Sequence, residues 1–443
     1  MSTPATAMPP ATPAASALPR LLTGIVSTDT ACGLDEHLAR WGPSPVHAAA
    51  VELIDVVGNS GLRGRGGAGF PVAQKWRSIG GGRLRKPVVV ANGAEGEPTS
   101  AKDALLLGRL PHLVLDGLSL AGAAVNASRL VVYVPTRLAR GVEDAVEERR
   151  RLGIDPVPIN VVVAPDRFLA GQESAVVNVI DGGREARPSF VAIESVRDRG
   201  VNGRPTLVQN VETLAHVSLI ARFGRSWFRA LGTEKAPGTM LVTVTGRWPE
   251  SRILEAPLGA PIHAVLGLSY GEAASFQGAL LGGYGGGWVT MPTLLDLPLT
   301  EEAARQAGSS LGPGIIALLP HRVCPLAEAA RVARYMQEQG AGQCGPCVHG
   351  LADLAGMLEE LAFRPFGFRG GIQGIAEVCD LVEGRGACRH PDGVARFVRS
   401  SLAVFSDEAA SHLRNGPCQQ TRAPGFLPCP HSAVPVRGEP ISW

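Results

Sequence analysis

Leu130-Val-Val-Tyr-Val134, then a charged amphipathic stretch from Leu138 to Leu152, then Ile159-Asn-Val-Val-Val163: this succession decides the fold. Both outer runs are short, apolar and β-branched, as strands buried on two faces are. The segment between them repeats apolar residues at helical spacing. Strand, helix and strand in that order imply a parallel sheet under helical cover. Upstream, Val88-Val-Val90 reads as a further strand that leads into Ala91-Asn-Gly-Ala-Glu-Gly-Glu-Pro98, and Ala104 to Val125 reads as helix. Still earlier, Ala50, Leu53, Ile54 and Val57 give His47–Val57 a helical period. Together these predict one α/β domain over 41–236.

Beyond it a smaller α+β unit is expected over 237–300, with strands at Met240–Thr245 and Ile253–Ala256 and a short helix at Pro261–Leu266. From Leu326 the pattern is helical in four pieces, about 326–339, 350–363, 372–384 and 391–414, which predicts a four-helix bundle over 320–415. Residues 416–443 are Pro-rich and read as irregular. Residues 1–20 hold six Ala and five Pro and read as a disordered tail, with a lead-in to residue 40.

Composition narrows the function classes. In 443 residues the net charge is only +2, which offers no field for nucleic acid or anionic lipid. No apolar run reaches the roughly 18 residues of a membrane helix. The start lacks the basic and apolar regions of a signal peptide, so a cytoplasmic protein is expected. Eight scattered cysteines make no disulfide framework; only Cys344 and Cys347 lie close together.

Gly64-Arg-Gly-Gly-Ala-Gly69 fits G-x-G-x-x-G, but a helical pattern precedes it and the nearest strand follows, so the ordinary dinucleotide reading fails. No Gly-Lys-Ser/Thr follows, so it is not a phosphate-binding Walker loop either. The loop suits backbone contact with a phosphate or a flat ring, with Arg65 and Lys75 supplying charge; a flexible surface loop is the plain alternative. Asn92-Gly-Ala-Glu-Gly-Glu-Pro98 closes a strand, where α/β sheets bind ligands, although such an end can equally be a solvated turn. Gly171-Gln-Glu-Ser174 opens a helix after the Ile159–Val163 strand, and Val208-Gln-Asn-Val-Glu-Thr-Leu214 places two amides before an apolar turn.

These segments, in this order, resemble the family of NADH-binding flavoprotein subunits of respiratory complex I, with its relatives in NAD-linked hydrogenases and formate dehydrogenases. The resemblance runs from about residue 45 to 410. It implies an FMN domain, a β-grasp domain of the soluble-ligand-binding type and a C-terminal bundle holding a [4Fe–4S] cluster. It assigns FMN to Gly64, Arg65, Gly66, Lys75, Asn92, Glu95, Gly171, Glu173 and Asn210, and NADH to Gly67, Phe70 and Glu97. Cys344, Cys347 and Cys388 match three cluster ligands. The implied function is electron transfer from NADH through FMN to the cluster and on to a ferredoxin-like or other partner, peripheral to a membrane only through partners.

The chain departs from the family at several points. Ala94 stands for an Asp, Gln172 for a Glu, and Arg77-Ser-Ile79 where an aromatic residue is usual. The Lys-Pro-Pro-Phe segment that clamps the adenine end is represented by Ser189-Phe-Val-Ala-Ile-Glu-Ser195. The first cluster cysteine is Ala341, with His349 or a non-protein group as a substitute ligand. Two rival readings remain open at this point. One is a subunit that holds FMN without oxidising NADH; the other is a thiol–disulfide oxidoreductase built on Cys344-Gly-Pro-Cys347. Cys324, Cys379, Cys418 and Cys429 read as packing or surface residues.

Overall fold

The computed structural model describes residues 17–25, 31–46, 52–80, 85–183, 185–189, 195–364, 368 and 370–430. Four strands, β1 (Val88–Asn92), β2 (Arg129–Pro135), β3 (Ile159–Ala164) and β4 (Thr206–Asn210), form one parallel sheet in the order β3-β2-β1-β4. The side chains of β1 alternate between two cores. Val89 and Ala91 enter the thick helical layer, while Val88 and Val90 face the other side with Tyr133 and Val208. Burial on both faces explains why these strands are nearly all apolar. β1 passes to β2 on one side, and β4 enters on the other. The crevice between Asn92 and Asn210, which are paired in register, is therefore the switch point at which open α/β sheets bind ligands.

The thick layer contains α1 (Leu34–Trp41), α2 (Leu53–Ser60), α3 (Val72–Gly80), α4 (Lys102–Arg109), α5 (Pro111–Ala124), α6 (Thr136–Arg151) and α8 (Val211–Arg229). The opposite face carries α7 (Glu173–Ile180). The helical pattern over 104–125 is continuous, but the helix is not. α4 and α5 meet at 97°, because Pro111 has no N–H to continue the ladder and Leu110 leaves the helical region (φ −130°, ψ 47°). Across this layer Asp116 pairs with Arg149 at 2.8 Å and with His37 at 2.8 Å, and Arg222 also reaches it. These partners hold the Asp116 carboxyl below the usual carboxylate range against its burial.

The tail expected over 1–20 falls mostly outside the described residues, but Arg20 and Leu21 lie on the fold. Leu21 is buried, and the Arg20 guanidinium sits 4.1 Å over the Trp227 ring and donates to the Phe228 carbonyl at 2.9 Å. The expected helix at His47–Val57 likewise has residues 47–51 outside the described set.

The second sheet is mixed, in the order β6-β5-β9-β7-β8: β5 (Thr239–Thr245), β6 (Arg252–Pro257), β7 (Phe276–Leu281), β8 (Gly287–Val289) and β9 (Ile315–Pro320). β9 lies between β5 and β7, so this unit runs past the expected limit at residue 300. Short helices α9 (Ile262–Leu266), α10 (Tyr270–Ala273), α11 (Met291–Asp296) and α12 (Glu301–Gln306) accompany the sheet. The C-terminal part comprises α13 (Pro325–Gln339), α14 (Leu351–Phe363), α15 (Gly371–Val382), α16 (His390–Val404) and α17 (Ser406–Asn415) around a shared core. The last expected piece is thus two helices that meet at Phe405. Among the described residues no single helix is long and apolar enough to cross a membrane.

Candidate functional site

The four sequence segments converge on the switch point. Asn92 ends β1, and its amide donates to the Gly171 carbonyl at 2.8 Å. Asn210 ends β4 and caps α8 by accepting from Glu212 N at 3.0 Å. The glycine loop lies against it: a Cβ on Gly66 would stand 3.1 Å from the Asn210 Cβ, so a side chain there would press on Asn210. Lys75, one turn into α3, reaches the rim, where it donates to the Val208 carbonyl at 2.7 Å and pairs with Glu173. The backbone N–H groups of Gly66 to Gly69 have no main-chain acceptor among the described residues. Loop amides without main-chain acceptors, two carboxamides and one rim cation together suit a phosphorylated, polar-edged ring. These residues fit FMN.

Two expected contacts are placed otherwise. The Arg65 guanidinium turns away from the cleft: it is buried, donates twice to the Thr239 carbonyl (3.1 and 2.9 Å), and stands 4.0 Å from Glu212. Its backbone N–H is held by Thr213 Oγ1 at 2.9 Å, so Arg65 fixes the loop to α8 and to the second sheet. Glu95 is spent on the start of α4, accepting from Asp103 N at 2.9 Å and Ala104 N at 2.8 Å. Sequence reasoning did not foresee the ion group beneath the cleft. Lys102 pairs with Asp103 at 2.6 Å and Glu212 at 3.0 Å, and Asp103 accepts from the Asn210 amide at 2.7 Å. Burial raises the Glu212 carboxyl, but Lys102, His216 and Arg65 together bring it down to about 2. Burial alone would lower the Lys102 ammonium, yet Asp103, Glu212 and Glu95 carry it above its ordinary value.

The three residues expected at NADH are spread out. Phe70 is 48% exposed on the loop rim. Gly67 faces the turn at Gly312 of the second unit, beside a cavity of ≈ 520 Å³ between loop and sheet. Glu97 accepts from Thr99 Oγ1 at 2.8 Å and from Tyr284 N at 2.9 Å, so its carboxylate joins the two units. Of the expected clamp at Ser189–Ser195, residues 190–194 lie outside the described set. Burial pushes the Glu97 carboxyl up to about 7, against the hydrogen bonds from Thr99 and Tyr284. An acid whose folded value is raised stabilises the fold at low pH, and that contribution is lost as pH rises through about 7. In urea titrations, the wild-type chain should lose up to roughly 3 kcal/mol more than Glu97→Gln between pH 4.5 and about 8. Parallel pH profiles for the two proteins would reject this assignment.

The thiols form a second centre. Cys344 and Cys388 lie close enough to Cys347 to raise its thiol, and Cys344 does the same to Cys388. The Ala341 N–H near the Cys347 sulfur and the His390 N–H near that of Cys388 act to lower the two thiols. Burial pushes the Cys347 thiol up to about 12, with Cys344 adding to it. Cys347 sits in a single wide i→i+5 turn, Pro346–Gly350, of the kind found at functional sites. Three thiols with N–H groups near two of the sulfurs fit an iron–sulfur cluster. His349 is exposed at the same turn. The preceding segment is helical, so the strand that a thioredoxin-type site requires is missing there.

Cleft and thiols are joined by the loop after β3. Gly171 touches Asn92, while Phe168, three residues earlier, packs its ring 5.5 Å from His390 and 6.5 Å from Tyr335. The loop is anchored by Phe168 N donating to Gln339 Oε1 at 3.0 Å. Gly96 lies so close that a Cβ there would stand 2.2 Å from the Phe168 carbonyl oxygen.

Residues 57–219 match the family model described as the Nuo51 FMN-binding domain, and residues 327–412 match the NADH-ubiquinone oxidoreductase-F iron-sulfur binding region. The chain is 32% identical over 390 residues to the F-type component of NADH-quinone oxidoreductase in Mycobacterium tuberculosis, covering 83% of this chain and 86% of that one. It is 28% identical over 418 residues to the Escherichia coli protein of the same name, covering 86% and 92%. Among solved structures it resembles an NAD+-reducing [NiFe]-hydrogenase in the H2-reduced state, with a TM-score of 0.75 and 26% identity over 84% of this chain. The chain spans 65% of the length of that hydrogenase chain.

Proposed function

The chain belongs to the F-type family of NADH-quinone oxidoreductase subunits, and from that premise we propose how its residues divide the work. It is an oxidoreductase subunit of the NADH dehydrogenase type, with an FMN-binding domain and a [4Fe–4S]-binding region. Bound FMN supplies the exchange between a two-electron hydride donor and one-electron acceptors. Gly64, Gly66, Lys75, Asn92, Gly171, Glu173 and Asn210 hold it at the switch point. Arg65 and Glu95 act one step back, fixing the loop and α4. Phe70 and Gly67 border the face left open to NADH, and Glu97 holds the second unit beside it. Cys344, Cys347 and Cys388 hold the cluster, with no fourth thiolate at position 341. The second unit is read as the β-grasp domain and α13–α17 as the bundle that carries the cluster. Electrons leave to a ferredoxin-like or other electron-transfer subunit; that the relatives are themselves subunits of larger assemblies supports such a partner.

The observation that carries this reading is the Phe168–Gly171 loop. It touches Asn92 of the cleft at one end and His390, two residues from Cys388, at the other. Adding NADH without air to the FMN- and iron-loaded protein should bleach the flavin band and then the broad iron–sulfur absorption. A flavin colour that NADH leaves unchanged, but dithionite bleaches, would favour a relay that takes electrons from another protein. For the cleft itself, Asn92→Ala removes the bond that places Gly171. FMN should then bind about tenfold more weakly in equilibrium dialysis, the worth of roughly one hydrogen bond. Unchanged affinity would remove Asn92 from the site.

A further inference from the structure

A second cluster of ligand atoms lies apart from the thiols at Cys344. Cys324, Glu408, His412 and Cys418 each offer one atom, and all four atoms lie within 4.8 Å of one another. They come from three places in the chain. Cys324 caps α13, its sulfur accepting from Ala327 N at 3.5 Å. Glu408 and His412 are one turn apart on the same face of α17. Cys418 follows after that helix has ended at Asn415. Along α13, whose 15 residues span about 22 Å, Cys324 stands at the end opposite the Cys344–Cys347 turn. The two centres are separate.

The spacing suits a tetrahedral ion. Bonds of roughly 2.0–2.3 Å to nitrogen, oxygen and sulfur put neighbouring ligand atoms roughly 3.3–3.8 Å apart. His412 Nε2 is 3.7 Å from the Cys324 sulfur and 3.2 Å from Glu408 Oε1. The imidazole is also oriented from behind, since its Nδ1 lies 3.3 Å from the Leu361 carbonyl. A donor at Nδ1 leaves the Nε2 lone pair facing the cluster, the arrangement that holds metal-ligating histidines. The backbone N–H of Cys418 is aimed at that lone pair as well, at 3.2 Å. Nε2 thus stands among a carboxylate oxygen, a sulfur and an N–H donor at once.

We propose that Cys324, Glu408, His412 and Cys418 form a structural zinc site. Two sulfurs, one imidazole and one carboxylate select a borderline-soft, tetrahedral divalent ion over magnesium or calcium. Four protein ligands leave no open position, so the ion serves the fold. Binding would release the thiol protons as the sulfurs become ligands. The ion fastens the segment after α17 to the start of α13. That segment then runs back along the helix, with Leu427 N donating to Glu328 Oε1 at 2.6 Å and the Tyr284 hydroxyl donating to the Pro428 carbonyl at 2.5 Å.

The test is metal analysis of the full-length chain, purified anaerobically without chelators. About one zinc per chain is expected, falling below about a tenth in Cys418→Ser and in His412→Ala while iron and FMN stay unchanged. Cys344→Ser should do the reverse, losing iron and keeping zinc. Should either zinc-site variant fail to fold, cobalt(II) exchanged into the wild-type chain gives an independent reading. Thiolate-to-cobalt charge transfer with tetrahedral d–d bands supports the site, and an octahedral spectrum without sulfur ligation overturns it. Zinc content unaltered in both variants, or a Cys324–Cys418 disulfide in the anaerobic protein by mass spectrometry, also overturns it.

Discussion

Lys102→Met is expected to cost about 3–5 kcal/mol of stability, because it leaves buried carboxylates without their cation. Lys102 and Glu212 are both fully buried, with Asp103 nearly so. The methionine would fill most of the same space, so little of the loss would come from a cavity. The damage would be electrostatic, and a second change should show it. In Lys102→Met/Glu212→Gln one of the two carboxylates no longer needs a cation, so part of the lost stability should return in urea unfolding of the apoprotein, while Asp103 stays unpaired. A single variant within about 1 kcal/mol of wild type would mean that Glu212 and Asp103 find other partners. The same change reaches the cleft, since Asp103 orients the Asn210 amide.

Cys388→Ala is expected to remove most of the iron while FMN stays bound. A cluster normally takes four thiolates, and this chain offers three at the matched positions, so none is spare. Anaerobically purified Cys388→Ala should hold under about a quarter of the wild-type iron, measured by ferrozine assay beside the flavin absorbance. The opposite change sharpens the test. The Ala341 N–H is near enough to the Cys347 sulfur to lower its thiol, so position 341 borders the site. Ala341→Cys should slow bleaching of the cluster in air at least about threefold by supplying the fourth thiolate. Wild-type iron content in Cys388→Ala would move the cluster away from these residues.

Much of the fold could be read from residues close together in the chain. Val88–Val90, Leu130–Val134 and Ile159–Val163 declared the parallel strands because burial on both faces demands apolar, β-branched runs. The break at Pro111 was missed because Leu106, Leu107, Leu110 and Leu113 keep the helical period across it, and the period outweighed the proline. The cleft was legible in outline, since loops at strand ends bring in Asn92, Gly171 and Asn210. The direction of Arg65 was not. It is settled by the Thr239 carbonyl, 174 residues away, and no local pattern announces that. Nor did the sequence join Cys324 to His412 across 88 residues, although Glu408 and His412 one turn apart, with Cys418 just beyond, were a signal in plain view.

The seating of β4 beside β1 also orders events during synthesis. Asn92 and Asn210 face each other across 118 residues, and the first three strands can align well before the fourth leaves the ribosome. Until then β1 has a bare edge, and the nascent domain has only half a binding crevice. Contacts of such separation close slowly and late. The apoprotein must therefore complete this sheet before it can capture its coenzyme, which makes flavin loading a report on finished folding and exposes the unfinished chain to wrong pairing along that edge.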